Sequence, residues 1–174
     1  MKIAVIGLGF VGLSLTSVLG SKKYDIIGID IDKKKCNKIS NGISPFFEPE
    51  LEKNLQNGLK KKLKISNDFS LINKCDIIFV TVGTPQNNDG SIDLTIIKKA
   101  VSNIGKNLLN SKKRPIIFIK STVIPGTIKK IILPILEKKS NKKNGEGFGL
   151  ISNPEFLQES TAIKDTKFPH VVVL

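Results

Sequence analysis

The sequence predicts an α/β fold, with a doubly wound, mostly parallel sheet and helices on both faces. Three observations support this fold class. Short apolar runs alternate with segments of helical spacing along all 174 residues, a length that suits one domain. These runs are rich in Ile and Val and show little polar alternation, which is typical of parallel strands buried on both faces. The first run leads at once into a glycine-rich turn and an apolar helix, which is a common start for such sheets.

The first turn carries glycines in the spacing G-x-G-x-x-G, at Gly7, Gly9 and Gly12. It lies between a predicted strand over residues 3–6 and a predicted helix over residues 11–19. In such a unit, the first glycine permits a sharp bend, the second lets the backbone approach a pyrophosphate, and the third lets the helix pack on the strand. The helix N-terminus then offers N–H groups and a positive dipole end to the phosphates. A glycine turn without a ligand is the alternative, but the flanking elements favour dinucleotide binding and a Rossmann-like sheet.

An acidic residue follows at the distance that this motif requires, about twenty residues on. Residues 25–30 predict a second strand, and Asp30 lies at its C-terminal end. A carboxylate there can accept the hydroxyl hydrogens of the adenosine ribose and would repel a 2′-phosphate, so NAD is predicted rather than NADP. Lys33, Lys34 and Lys35 follow directly and could instead receive a phosphate. We favour the other interpretation of these lysines, a solvated helix face.

The rest of the chain continues the alternation of strands and helices. Five more strands are predicted, which makes seven in all, at residues 63–65, 75–82, 115–119, 148–152 and 170–174. Helices are predicted at residues 32–41, 50–57, 69–73, 93–109 and 128–137, with a bend at Pro134, and a short one ends near Lys164. Residues 43–50 and 138–147 predict loops.

Charge and composition favour a small anionic ligand. The chain has 28 Lys+Arg against 15 Asp+Glu and a net charge of +13, while hydrophobic residues make up 40% and aromatic residues 6%. The lysines lie in short runs along the whole chain, without interleaved aromatic residues, so a nucleic-acid surface is the less favoured interpretation. Two cysteines, Cys36 and Cys75, are too few for a disulfide framework and are interpreted as reduced packing residues.

The sequence also predicts a cellular location. The N-terminus enters a strand without a signal-peptide pattern, and no apolar run approaches a membrane-spanning length. We therefore expect a cytoplasmic protein without a membrane partner, and we predict no metal site.

The unusual residues of the chain follow the predicted strands. They are the glycine turn, Asp30, Thr84-Pro85, Ser121-Thr122 and the 153–155 stretch Asn-Pro-Glu. Ligands of parallel sheets bind beyond the C-terminal ends of the strands. This coincidence therefore predicts a site at that edge of the sheet, although each motif alone could belong to an ordinary loop.

Several of these stretches together resemble one enzyme family. Gly83-Thr84-Pro85, the stretch KSTVIPGT over residues 120–127 and the stretch NPEFLQE over residues 153–159 resemble the UDP-glucose/GDP-mannose 6-dehydrogenases. The 45–50 loop and the 89–93 turn are similar too, so the resemblance covers essentially the whole chain, and the UDP-glucose type is favoured. It implies oxidation of a sugar 6-hydroxyl to a carboxylate in two hydride transfers to NAD, through a thiohemiacetal and a thioester on a cysteine.

The resemblance also implies roles for individual residues. Thr122 and Glu155 would position and activate a water, and Glu159 would lie against the cofactor and the substrate. The implied substrate contacts are Glu155, Phe156, Leu157 and Glu159. The implied NAD contacts are Gly7, Leu8, Gly9, Phe10, Val11, Gly12, Asp30, Lys35, Val82, Gly83, Thr84, Pro85, Ser121, Thr122 and Glu159. From the residues alone, Glu155 could equally cap a helix and Thr122 could simply end a strand.

Parts of the family's machinery have no counterpart here. Its nucleophilic cysteine, and the lysine and asparagine that steady the oxyanion, belong to a central helix and a sugar-binding domain, and neither Cys36 nor Cys75 matches that cysteine. We therefore expect residues 1–174 to be the NAD-binding domain, which binds NAD without full catalysis, whereas the family dimerises through the central helix. The expected substrate is a nucleotide sugar, UDP-glucose first, GDP-mannose next, and N-acetylated sugars last. The alternatives are a non-catalytic NAD-binding module that completes a partner chain and, less favoured, a basic nucleic-acid-binding protein.

Overall fold

The computed structural model describes residues 1–22 and 24–174, which build one six-stranded sheet in the order β3-β2-β1-β4-β5-β6. Every neighbouring pair of strands is parallel. The strands are β1 Lys2–Ile6, β2 Asp25–Ile29, β3 Leu63–Ser66, β4 Ile77–Val80, β5 Ile116–Ile119 and β6 Gly149–Ser152. The strand order reverses between β1 and β4, which is where doubly wound sheets bind their ligands. The predicted fold class is confirmed.

Helices cover both faces of the sheet and bury two apolar clusters. On one face, Leu13 of α1, Leu55 of α3 and Ile163 of α6 are buried together. On the other face, Ile104 of α4 and Leu136 of α5 are buried against the sheet. The helices are α1 Phe10–Ser21, α2 Lys33–Ser40, α3 Leu51–Leu59, α4 Thr95–Leu108, α5 Leu133–Ser140 and α6 Ala162–Lys167, with a 3₁₀-helix at Phe69–Lys74 and a π-helical turn at Ile128–Ile132.

The predicted seventh strand, over residues 170–174, is wrong. The segment is exposed and pairs with no strand of the described sheet, and Leu174 is 75% exposed. It lies near the C-terminal ends of β5 and β6, where the Asn153 side-chain amide donates to the carbonyl of Val173 at 2.9 Å. A run of β-branched residues favours extended backbone, but it does not supply the neighbouring strand that a ladder requires.

The helix predicted over residues 128–137, with a bend at Pro134, is interrupted by a π-helical turn that precedes the proline. The Leu133 N–H bonds the carbonyl of Ile128, five residues back, and α5 then begins with Pro134 in its first turn. Because proline has no N–H and its ring crowds the carbonyl four residues back, the regular helical ladder is interrupted at this point. Helix α5 runs to Ser140, and Asn141 in the left-handed conformation ends it (φ 53°).

The glycine turn fixes the start of α1 against the ends of two strands. Gly7 has φ +94°, a conformation that residues with a Cβ rarely adopt. A Cβ on Gly12 would stand 1.8 Å from the Gly7 carbonyl oxygen and 2.4 Å from Thr81 Oγ1, whereas a Cβ on Gly9 would meet no atom within 4 Å. Gly7 and Gly12 are therefore required by the turn itself, and Gly9 faces open space.

This difference gives a direct test with a matched pair of variants. We expect Gly12→Ala to lower the free energy of unfolding by about 2–3 kcal/mol, because backbone atoms must move to admit the methyl group. Gly9→Ala should leave it unchanged or raise it by up to about 1 kcal/mol, since its φ of −77° suits alanine. Urea unfolding followed by circular dichroism measures both. Equal losses in the two variants would contradict this account of the turn.

Candidate functional site

A cleft of about 510 Å³ opens at the C-terminal edge of the sheet, between the glycine turn, the end of β2 and helix α4. It brings together six of the residues predicted to bind the cofactor. They are Gly7, Gly9, Asp30, Lys35, Val82 and Gly83. Residues from three stretches that are far apart in the sequence therefore line one cleft.

Asp30 lies at one end of this cleft and is 6% exposed. Its Oδ2 accepts the Leu8 N–H at 2.7 Å and a bond from Lys35 Nζ at 2.9 Å, and its Oδ1 accepts the Asp32 N–H at 3.0 Å. Leu8, one of the predicted cofactor contacts, is thus buried beneath the turn and acts through its backbone. An ionised carboxylate offers about four acceptor positions, so Asp30 can still receive a ribose hydroxyl.

These contacts keep Asp30 charged. Burial of the carboxyl opposes ionisation, but the hydrogen bonds from Asp32, Lys35 and Leu8 outweigh it and hold the Asp30 pKa below its ordinary value of 3.8. A group with a lowered pKa stabilises the fold above its unfolded-state pKa, and this contribution is lost as the pH falls through the folded-state value. The three lysines therefore differ in their environment. Lys35 forms an ion pair with Asp30, whereas Lys33 and Lys34 are exposed.

Thr81 was not predicted from the sequence, yet it joins the turn to β4. It is buried, and its Oγ1 lies 2.7 Å from the Gly7 carbonyl oxygen and 3.0 Å from that of Ile6, so its hydroxyl donates to this pair. Thr81 therefore bonds the same Gly7 carbonyl oxygen that lies against Gly12. In the sequence, Thr81 is marked only as a polar residue at the end of an apolar run.

The ends of β4 and β5 are tied to each other beside the cleft. Ser121 Oγ donates to the Val82 carbonyl at 2.6 Å, and Thr84 Oγ1 donates to the Thr122 carbonyl at 2.9 Å. Thr122 and Pro85 are exposed at this edge. The stretches over residues 82–85 and 121–122, which were predicted to line the cofactor's path, are therefore adjacent in space.

A second, smaller cavity of about 140 Å³ lies on the other side of the start of α1. Its lining contains Val11 and three of the four predicted substrate contacts, Glu155, Phe156 and Leu157. Glu155 Oε2 accepts the Leu157 N–H at 2.6 Å, so Glu155 closes a local turn and no helix begins at it. Phe10, the residue before Val11, packs on Phe46, with ring centroids 5.5 Å apart.

Lys120 also lines the second cavity, in a role that the sequence did not reveal. Its Nζ donates to Asn153 Oδ1 at 3.1 Å, which joins the ends of β5 and β6. Burial lowers the pKa of the Lys120 ammonium below its ordinary value, and the nearby charge of Glu155 opposes that effect. The lining of this cavity therefore contains both a half-buried cation and the carboxylate predicted to act on water.

Two of the predicted catalytic residues lie outside both cavities. Thr122 and Glu159 are exposed and line neither the 510 Å³ cleft nor the 140 Å³ cavity. Glu159 is placed between Gln158 and Ser160, whose backbone N–H groups bond the carboxylates of Asp165 and Glu48. The geometry groups Glu155 with Lys120 but leaves Thr122 and Glu159 at the surface.

Both cysteines are buried packing residues, as predicted. Cys75 precedes β4, at the edge of the sheet opposite the site, and burial raises its pKa to about 11. Cys36 lies in α2, and burial raises its pKa as well. A thiol with a raised pKa is a poor nucleophile, so neither suits the thioester chemistry.

The cleft fits a dinucleotide on its own geometry. A Cβ on Gly9 would point into open space beside the cleft, so the backbone itself forms the surface there. Helix α1 begins after Gly9 without a side-chain cap, which leaves its first N–H groups for a phosphate. Among the helices of residues 1–22 and 24–174, none combines the length and apolar character that a membrane crossing requires.

Comparison with known proteins agrees with this geometry. Residues 1–174 match the model of the UDP-glucose/GDP-mannose dehydrogenase family, NAD binding domain. GDP-mannose 6-dehydrogenase of Pseudomonas syringae pv. tomato is 42% identical over 176 residues, which cover 100% of this chain and 40% of the relative. UDP-glucose 6-dehydrogenase TuaD of Bacillus subtilis is 41% identical over 170 residues, which cover 95% of this chain and 35% of the relative.

The solved structures extend the agreement to three dimensions. A crystal structure of a ternary complex of GDP-mannose dehydrogenase from Pseudomonas aeruginosa superposes with a TM-score of 0.96 at 38% identity, covering 99% of this chain and 40% of that one. The chain thus spans about 40% of the length of the relatives it matches. It belongs to the UDP-glucose/GDP-mannose dehydrogenase family, as the NAD-binding domain of that family.

Proposed function

We propose that residues 1–174 serve a nucleotide-sugar 6-dehydrogenase, in which they hold NAD beside the sugar that is oxidised. One observation carries the proposal: the first turn of α1 separates the two cavities. Gly9 lines the cleft that contains Asp30, and Val11, two residues on, lines the cavity that contains Glu155. A cofactor on one side of this turn and a substrate on the other would therefore meet at the ends of β4 and β5.

Each part of the cleft has a task in this proposal. Asp30 receives the adenosine ribose, with Lys35 fixing its carboxylate, and the glycine turn receives the pyrophosphate. The paired ends of β4 and β5 guide the rest of the cofactor toward the second cavity. NAD, when bound, supplies the acceptor of the hydride.

The chemistry that this chain contributes is the handling of water and charge. Glu155 orients a water and accepts its proton, and Lys120 keeps the local charge balanced. Thr122 assists from the end of β5, and Glu159 contacts the cofactor and substrate. Neither cysteine suits the thioester route, since burial raises the pKa of both thiols. The resemblance to the family implies that the nucleophile comes from a central helix and a sugar-binding domain outside these residues. Dimerisation through that central helix and a cytoplasmic location stay predictions from the sequence.

The proposed substrate is a nucleotide sugar with an oxidisable 6-hydroxyl. The sequence favoured UDP-glucose, but relatives named for GDP-mannose and UDP-glucose are 42% and 41% identical to this chain. Identity therefore does not separate these two sugars, and both belong in the assay of the whole protein.

Cofactor selectivity provides the first test. We expect the chain to bind NAD in titration calorimetry, and NADP more weakly by about tenfold or more, or about 1.4 kcal/mol, because the charged Asp30 repels the 2′-phosphate. Asp30→Ala should narrow this gap, whereas Lys34→Ala, an exposed change on the neighbouring helix, should preserve it. Equal affinities of the unaltered chain for both cofactors would show that the lysines outweigh Asp30.

Turnover provides the second test. The purified 174-residue chain should reduce no NAD with UDP-glucose or GDP-mannose. Without the walls of the sugar-binding domain, the substrate is not held for the first hydride transfer, and without a thiolate the aldehyde cannot form the thiohemiacetal from which the second hydride leaves. Fusing it to the segment that follows the matched region in the Pseudomonas syringae relative should create activity, measured as absorbance of NADH.

Two variants of the fusion assign this activity. Glu155→Gln should lower kcat by about 100-fold or more, as expected for loss of a general base. Glu146→Gln, in the exposed loop after α5, should leave kcat unchanged. Robust turnover by the 174-residue chain alone would contradict the proposal and require a different nucleophile.

A further inference from the structure

The loop over residues 43–50 is anchored beside the glycine turn. Its Phe46 ring packs on Phe10, the first residue of α1. Ser44 stiffens the loop, because its Oγ donates to the Phe46 carbonyl at 2.6 Å and its N–H donates to Glu52 Oε1 at 3.0 Å. Leu51, the first residue of α3, is buried directly after the loop. One side of this loop is therefore fixed to the start of α1, next to Gly9 of the cofactor cleft.

The other side of the loop holds the segment that contains Glu155 and Glu159. Glu48 is 5% exposed, and its Oε2 accepts the Ser160 N–H at 2.9 Å while its Oε1 accepts the Ala162 N–H at 2.9 Å. Hydrogen bonds to an ionised carboxylate are stronger than neutral ones. Both oxygens of a buried side chain are thus committed to backbone more than a hundred residues further along the chain.

Ser160 shows why this segment needs an anchor. Its φ is +70°, in the left-handed region that a non-glycine residue occupies at a cost. Such a conformation persists where surrounding contacts hold it, and the bond from Ser160 N–H to Glu48 is one of them. Glu159 directly precedes Ser160, so the same anchor sets the backbone that carries the Glu159 side chain.

We propose that Glu48 is a positioning residue of the cofactor site, which holds Ser160 and Ala162 and thereby places Glu159 against bound NAD. This inference rests on the proposed function, in which Glu159 contacts the cofactor. Glu50 makes a parallel connection, a 2.6 Å ion pair with Lys167 of α6, but Glu50 is exposed. Exposed ion pairs contribute little, so Glu50 is a matched control for Glu48.

A double-mutant cycle tests the coupling on the chain itself, with the Kd for NAD from calorimetry as the readout. We expect Glu48→Gln and Glu159→Gln each to weaken NAD binding by about tenfold, and the double variant by no more than either alone. A residue that merely stabilises the fold would instead give effects that multiply. Glu50→Gln should change the Kd by less than about twofold.

Amide hydrogen exchange tests the anchor independently of NAD. In Glu48→Gln, the side-chain NH₂ replaces one carboxylate oxygen and cannot accept a hydrogen bond from the backbone N–H that faces it. Amide exchange at Ser160 and Ala162 should therefore accelerate by about tenfold or more. Glu50→Gln should leave these rates unchanged. If Glu48→Gln fails to fold, Glu48→Asp retains the charge but is one methylene too short to span both amides, and it should accelerate exchange at one of them.

The outcomes separate this inference from the proposed function. Multiplying effects in the cycle, or an unchanged Kd in Glu48→Gln, would overturn the positioning role, as would unchanged exchange at Ser160 and Ala162. A wild-type chain that failed to bind NAD would instead overturn the proposed function, and the exchange rates would still decide whether Glu48 holds the segment.

Discussion

The close backbone contact within the glycine turn is the constraint on which the site depends. The Gly7 carbonyl oxygen lies where a Cβ on Gly12 would have to be, and Thr81 Oγ1 lies within hydrogen-bonding distance of the same oxygen. This contact presses the first turn of α1 onto the ends of β1 and β4, where the strand order reverses. Both cavities share that turn as a wall, so a small displacement of α1 would alter the cofactor cleft and the Glu155 cavity together.

Buried carboxylates, rather than the abundant lysines, organise the residues around this turn. The chain has a net charge of +13, yet several of its ion pairs, such as Lys113 with Asp76 and Lys143 with Glu137, lie at the surface, where solvent screens them. Asp30 and Glu48 are buried and accept backbone N–H groups from distant segments. Since hydrogen bonds to buried charges are strong and directional, these two side chains fix loops that the lysines do not.

Local sequence patterns predicted the strands of the sheet, the glycine turn and Asp30, because each is set within one strand–helix–strand unit of about thirty residues. They did not reveal Thr81 and Glu48, whose bonds reach partners 74 and 112 residues away. Nor did they show that residues 170–174 lack a neighbouring strand, since an apolar run reports burial preference and not pairing. An interruption of the helix before Pro134 was predictable because the missing N–H acts on the preceding turn alone.

The central claim is that NAD binds across the glycine turn, and amide chemical shifts of the ¹⁵N-labelled chain test it most directly. Titration with NAD should shift the amides of Gly9, Phe10 and Val11 most, together with those around Asp30 and Gly83, because Gly9, Asp30 and Gly83 line one cleft and the uncapped first turn of α1 begins at Phe10. Shifts confined to the exposed lysines of α4, with Gly9 unchanged, would show that the anion is held by surface charge alone and would contradict this account.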